Sequence, residues 1–496
     1  MPSSGSTRNF GPALLIIEYL WTSGRRMKKA ASLRDAGPFQ SVSVTDLADN
    51  LRQGKVTSGE LTERALNAAR EFGPRINCFV TLDEKGARRA AEQADAELSS
   101  GCDRGPLHGV PVGVKDIIST AGLMTGMGSK HFAGHVPNTD AAVVTSLRSA
   151  GAVIIGKTHA HEFAYGPTGD IAVTGPALNP NDISRVTGGS SSGSAAAVAA
   201  GLLPIAIGTD TAGSVRIPAS LCGVVGMRPT SGTVSPAGVF PLSRTLDVIG
   251  PMAGSVTDTA LLWRAMVSRP DHTGVTGPWL PLRVPNSPTQ SPLLRVGEVK
   301  CALTERVSYH QIEALQIAVS ALVDSGAVTV EVPIPEVDEC GRVHQAIQSA
   351  EAYALHQDRV ESAPDLFDPE ILRQLRAASE VSGWEYVLAM QTRDRLREQV
   401  LAKLSSIDLL VMPTVPIEAP LIGQRELQGE NGWTSTREAL KSMTVPWSLL
   451  DLPAINVPVV VNGAHMPCGV QLVGKPGCER QLLAAAAALE LRLETG

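Results

Sequence analysis

The chain has 496 residues, 43% of them hydrophobic, with a formal net charge of −6 and a pI near 6.0. That content supports a large buried core, and length alone suggests two to four domains. The acidic balance, with no extended basic stretch, means that a nucleic-acid partner is not expected, and the seven cysteines are scattered without a CxxC spacing. They read as reduced thiols of a cytoplasmic protein rather than a disulfide framework.

Taken in chain order, the first apolar run is Pro12–Ile17, broken by Glu18 and far too short to span a membrane. The basic cluster Arg25–Lys29 follows that run instead of preceding it, the wrong order for a secretory signal. Residues 1–40 are therefore expected to be an extension, either disordered or the result of an over-long start with Met27 as the alternative. Residues 41–496 are expected to form the functional domain. Helices are predicted over Thr45–Arg52 and Ser58–Ala69. The second opens on the capping-box pattern Thr57-Ser-Gly-Glu60, with Leu61, Ala65 and Ala68 on one face. Ala87–Leu98 reads as a further amphipathic helix. Val110–Val114 and Ala152–Ile155 read as buried strands with a helix, Asp140–Ala150, between them. This alternation predicts an α/β layered fold.

Further along, Ala195–Ala200 reads as a helix closed by Gly201. A Pro/Ser-rich segment, Pro270–Pro292, separates this half from a helical, motif-poor region. That region, about residues 300–405 and centred on His310–Ser405, is expected to shape a pocket. Tyr353 and His356 within it are candidate lining residues. Strands return at Leu409–Met412 and Ile455–Val461, and Leu482–Leu493 closes the chain as a helix.

Three segments carry chemistry. Gly188-Gly-Ser-Ser-Ser-Gly-Ser194 and Gly208-Thr-Asp-Thr-Ala-Gly-Ser214 each set serines among small residues that let backbone approach a ligand. Lys115 lies in the apolar run Val110–Ile118. Serine is a weak nucleophile until a base takes its proton. A lysine in an apolar pocket can be that base, because burial disfavours its charged form. The first serine loop leads directly into a helix, which makes it a donor-rich site rather than a linker. Gly151–Thr158 matches the phosphate-loop pattern GxxxxGK[ST], but its middle residues read as the strand itself. His159, His161 and Glu162 suggest a metal cluster without an evident third ligand in register, so no metal or organic cofactor is expected. No G-x-S-x-G elbow surrounds Ser214.

Together, Gly109–Asp116, Gly188–Ser194 and Gly208–Pro218 resemble the amidase signature family of serine amide hydrolases in motif, order and spacing. The resemblance runs from about Val44 to the C-terminus. It implies one large domain with a twisted mixed sheet covered by helices. It implies Ser214 as nucleophile, Ser190 as a bridging serine after a cis peptide bond, and Lys115 as terminal base. The backbone N–H groups of Thr211, Ala212, Gly213 and Ser214 would form the oxyanion hole. Ser191, Tyr165 and Gly189 are expected at the substrate, and Asp210 and Arg216 as supports of the nucleophile loop. Ser192 replaces a glycine common in the family, and Cys222 reads as a core residue.

The activity so implied is hydrolysis of a linear, non-peptide C–N bond in an aryl acylamide, carboxamide or carbamate. Alternatives are a glutaminase-type subunit of an amidotransferase, a hydrolase of biuret or allophanate, and an inactive scaffold. The expected partners are the small-molecule amide or carbamate and at most a second copy in a homodimer, with neither nucleic acid nor membrane.

Overall fold

The computed structural model describes residues 32–267 and 294–495. Pro12–Ile17, Met27 and Pro270–Pro292 lie outside the described residues. The expected 1–40 extension ends sooner than predicted: Leu33 and Phe39 are buried, and the Gly37 and Phe39 N–H groups donate to the Ala200 and Gly201 carbonyls at 2.8 and 2.9 Å.

Thirteen strands are present among the described residues. In chain order they are β1 (Phe79–Leu82), β2 (Pro111–Lys115), β3 (Val153–Thr158), β4 (Leu178–Asn179), β5 (Asp182–Val186), β6 (Ile205–Asp210) and β7 (Val225–Arg228). There follow β8 (Val248–Ala253), β9 (Arg295–Lys300), β10 (Val328–Pro333), β11 (Leu409–Pro413), β12 (Ala454–Val459) and β13 (Cys468–Val473). Eleven of them form one sheet in the order β1-β3-β2-β6-β8-β7-β12-β13-β11-β9-β10, and β4 and β5 form a small separate ribbon. The sheet is mixed. β3, β2 and β6 run parallel, as do β10, β9 and β11, while β8, β7, β12 and β13 join the two groups through antiparallel pairs. The central strands β2, β3, β6, β7, β8, β11 and β13 are buried along their whole length, as expected for a sheet covered on both faces. This is the α/β architecture expected from the sequence.

Local signals explain most helix starts. Thr57 and Glu60 form the predicted reciprocal capping box at Ser58–Glu71. Ser43 caps Val44–Arg52 and Asp83 caps Glu84–Ser99. The region after residue 300 holds the helices Tyr309–Asp324, Val337–Ser362, Pro369–Ala378 and Gly383–Lys403, but it also contains the edge strand β10. β10 carries the period-two alternation Val328-Thr-Val-Glu-Val332, a strand signal that the reading of this region as helical passes over.

The helix Ser192–Ala199 is buried at every position, packed against β2, β3, β6, β8 and the helix Arg216–Cys222. Its small side chains permit this. A Cβ on Gly193 would stand 2.2 Å from both the Cys78 carbonyl oxygen and the His159 nitrogen. The serine loop is thereby fixed against the paired strands β2 and β6, through Lys115 and Thr209. No helix among the described residues is long and apolar enough to cross a membrane.

Candidate active site

Lys115 is the last residue of β2, and Ser190 precedes the buried helix. Both side chains are buried. Lys115 Nζ lies 2.7 Å from Ser190 Oγ and 2.8 Å from Thr209 Oγ1 on neighbouring β6. The Gly189–Ser190 peptide bond is cis. Burial brings the Lys115 amine down from 10.5 to about 7, opposed only in part by the negative charges of Asp247 and Asp210. Near neutral pH this lysine can hold a lone pair, and a lone pair pointed at Ser190 makes it a base.

Ser214 follows β6 in the turn before the helix Arg216–Cys222. The Ser191 N–H donates to the Ser214 carbonyl at 3.2 Å, which ties the two serine loops together. Among the described residues, the Ser190 and Ser214 hydroxyls form no direct hydrogen bond. The turn itself is held from several sides. Asp210 receives Arg216 Nε and Nη2, each at 3.0 Å, and the Gly213 N–H at 2.8 Å. Arg228 bonds to the Asp210 carbonyl. The Asp210 carboxylate is held well below its usual range: the two buried guanidiniums and the Gly213 N–H outweigh the cost of burial. Thr211 Oγ1 donates to Asp247 at 2.6 Å, His344 Nε2 lies 3.2 Å from the Thr211 carbonyl, and Thr444 Oγ1 donates to the Ala212 carbonyl at 2.6 Å. Gly213 has φ +117°, and a Cβ there would meet Thr444 Oγ1 at 2.2 Å.

This anchoring engages one of the four N–H groups expected to form an oxyanion hole. The Gly213 N–H is already committed to Asp210, whereas those of Thr211, Ala212 and Ser214 have no partner among the described residues. Donors fixed in place before reaction are the arrangement that stabilises developing negative charge. Asp210 and Arg216 bond each other within this turn.

The structure shows the surroundings of the residues expected at the substrate. A small cavity opens on Ser214, lined also by Ala212, Leu242, Gln348, Arg437 and Lys441. Ser191, Tyr165 and Gly189 are not among its lining residues. The Ser191 hydroxyl bonds both the N–H and the carbonyl of Thr209, at 3.1 and 3.2 Å, and so secures the loop to β6. Gly189 donates its N–H to the Pro167 carbonyl at 2.7 Å. Tyr165 is buried and acts through Arg437, whose Nη1 donates to the Tyr165 carbonyl at 3.0 Å and whose guanidinium lies over its ring. Tyr353 and His356 are not among those lining residues either, and His356 packs in a ring cluster 4.3 Å from Phe163. Ser192 bonds His159 Nδ1 at 2.7 Å, and His161 Nδ1 accepts from the Gly169 N–H at 3.1 Å, so this polar cluster braces loops. Cys222 is buried, its thiol directed at the Thr187 carbonyl. The phosphate-loop look-alike is largely strand β3, and its Lys157 reaches Thr120 at 3.0 Å.

A family model described as Amidase matches residues 60–483. The chain belongs to the amidase family. It is a C–N hydrolase in class. It is 33% identical over 475 residues to a glutamyl-tRNA(Gln) amidotransferase subunit of Geobacter metallireducens (strain ATCC 53774 / DSM 7210 / GS-15), with 90% of this chain and 96% of the relative covered. Among solved structures it is similar, at TM-score 0.85 and 31% identity, to a chain of "An unexpected vestigial protein complex" that "reveals the evolutionary origins of an s-triazine catabolic enzyme", covering 92% of this chain and 99% of that one. It is also similar to the native peptide amidase from Stenotrophomonas maltophilia, at TM-score 0.77 and 30% identity, covering 92% and 98%.

Thr209, Asp247, His344, Gln348, Arg437, Lys441 and Thr444 are site residues that the sequence does not reveal. Thr209 lies inside the second serine motif, and its place beside Lys115 follows only from β2 pairing with β6. The others are far from the motifs in sequence and carry no local signal.

Proposed function

We propose that this protein cleaves the C–N bond of a small-molecule amide through an acyl-enzyme on Ser214. The observation that carries this reading is the buried Lys115–Ser190 contact at 2.7 Å, beside three unengaged N–H groups next to Ser214. Ser214 Oγ attacks the amide carbonyl carbon as its proton passes to Ser190 and the Ser190 proton passes to neutral Lys115. Hydrogen bonds of this kind often close only when substrate is bound, which accommodates the open Ser190–Ser214 step. The N–H groups of Thr211, Ala212 and Ser214 stabilise the oxyanion. The relay then runs in reverse: Lys115 returns a proton through Ser190 to the leaving nitrogen, and the C–N bond breaks. Water attacks the ester carbonyl, gives up a proton through the same relay, and releases the carboxylic acid with Ser214 restored.

An aryl acylamide, a carboxamide, a carbamate or a urea-like amide such as biuret or allophanate fits this sequence of steps. A second reading is favoured by a specific observation, the likeness to glutamyl-tRNA(Gln) amidotransferase subunits over nearly their whole length. In that reading the amide is that of glutamine and the ammonia passes to a partner chain. This relationship supports the second reading more strongly than any single relationship supports the stand-alone enzyme. The seven free cysteines support a cytoplasmic setting for either. Ammonia and amine release from glutamine, a benzamide, an anilide, a carbamate and biuret, by wild type and Ser214→Ala, separates the readings. Turnover of glutamine alone selects the second. Light scattering of the purified chain tests the homodimer.

A further inference from the structure

The cavity that opens on Ser214 is unusual in its charge. Two of its lining residues are cations, Arg437 and Lys441, and none is acidic. Both lie on the helix Thr436–Ser442, four residues apart, and so on one face. Like charges in that relation repel, and a cation taken out of water without a counter-ion is costly. Neither forms an ion pair with a carboxylate among the described residues. Arg437 donates to the Tyr165 carbonyl, which leaves further N–H donors of its fork without a partner among the described residues. Lys441 Nζ has no hydrogen-bond partner among the described residues. Burial, and then the neighbouring Arg437, hold Lys441 down to about 7 against the opposing charge of Glu438, so near neutral pH the amine is charged only in part and a bound carboxylate would draw it to the ammonium form. Across the cavity, Gln348 is buried and its Oε1 has no partner. Glu370, the carboxylate whose charge acts on Arg437, is paired with Arg425. Glu438, on the same helix, is exposed.

We propose that the amide substrate carries a carboxylate, held by Arg437 and Lys441 within reach of Ser214, and has no ammonium group beside that carboxylate. This deepens the reading of Ser214 as nucleophile and rests on it. A planar guanidinium and an ammonium on one helix face match the two oxygens of a carboxylate. An α-amino acid such as glutamine would bring its ammonium into a cavity that offers it two cations and no acid. A neutral aryl amide would leave both cations without a counter-charge.

The test uses the full chain and phenylmethylsulfonyl fluoride, a neutral reagent that sulfonylates an activated serine. Its rate is measured with and without succinamate, glutaramate, their neutral counterparts butyramide and valeramide, and glutamine. The expected result is protection by succinamate or glutaramate at concentrations at least tenfold below those needed for the neutral amides or glutamine. Arg437→Gln and Lys441→Met are expected to remove that preference, and the charge-keeping variants Arg437→Lys and Lys441→Arg to retain most of it. Equal or better protection by neutral amides overturns the inference, as does stronger protection by glutamine, no protection by any carboxylate, or an undiminished preference in both charge-removing variants. Absence of sulfonylation at Ser214 in wild type overturns instead the reading on which the inference rests, so the two failures are distinguishable.

Discussion

Replacing Thr209 by valine would remove one of the two acceptors around Lys115 while nearly preserving shape. Lys115 Nζ lies 2.8 Å from Thr209 Oγ1 and 2.7 Å from Ser190 Oγ. Its fall from 10.5 to about 7 corresponds to about 5 kcal/mol of discrimination against the ammonium form. A hydrogen bond contributes about 1.5–3 kcal/mol when one group is charged and about 0.5–1.5 when both are neutral. Losing the Thr209 acceptor therefore disfavours the ammonium relative to the amine by about 1 kcal/mol, or about 0.7 of a pH unit. The sign follows from the role of the base. Reaction needs neutral Lys115, so the rate rises with pH through the lysine pKa, and a lower pKa moves that rise to lower pH. The assay is the rate of Ser214 sulfonylation from pH 5 to 9, followed by intact mass. Wild type is expected to show an ascending limb centred near pH 7, and Thr209→Val a limb displaced downward by about 0.7 unit, with a lower plateau because the amine is less well oriented. An unmoved limb, or one displaced upward, would refute the reasoning.

Further outcomes follow from the same geometry. Lys115→Met is expected to reduce amide hydrolysis by about 10²–10⁴-fold while leaving the protein folded, measured as kcat/KM beside a thermal melt. Asp210→Ala strips the buried Arg216 and Arg228 of their counter-charge and is expected to cost about 3–5 kcal/mol of stability in denaturant unfolding. A variant as stable as wild type would show that the ion cluster does not hold the nucleophile turn. Gly193→Ala places a Cβ against backbone at 2.2 Å and is expected to lower stability by at least about 1–3 kcal/mol, read as a fall in Tm.

The parts of this fold that are legible in the sequence are those with local signals. Thr57 and Glu60 announce a capped helix, and the apolar runs ending at Val114 and Ile155 announce buried strands. The strands β6, β7, β8 and β13 escape such a reading, because a glycine-bearing strand buried on both faces has no period-two alternation. Lys115, Ser190 and Ser214 are legible through small-residue motifs that force backbone close to a ligand. The bonds of the Ser191 hydroxyl to the Thr209 backbone are not legible in the sequence, because they depend on how the serine loop packs on β6. Arg437 and Lys441 are likewise invisible in the sequence. Their exposure to the cavity depends on a short helix from the far end of the chain reaching the nucleophile turn, through Thr444 and the Ala212 carbonyl.

The central claim is that Ser214 is the nucleophile, activated by Ser190 and Lys115. The most direct measurement is peptide mapping of the protein after reaction with phenylmethylsulfonyl fluoride at pH 8, in wild type, Ser214→Ala and Ser190→Ala. The predicted result is a single sulfonyl adduct on Ser214 in wild type, none in Ser214→Ala, and slow labelling at the same residue in Ser190→Ala. An adduct on a different serine, or labelling that survives Ser214→Ala, would contradict it.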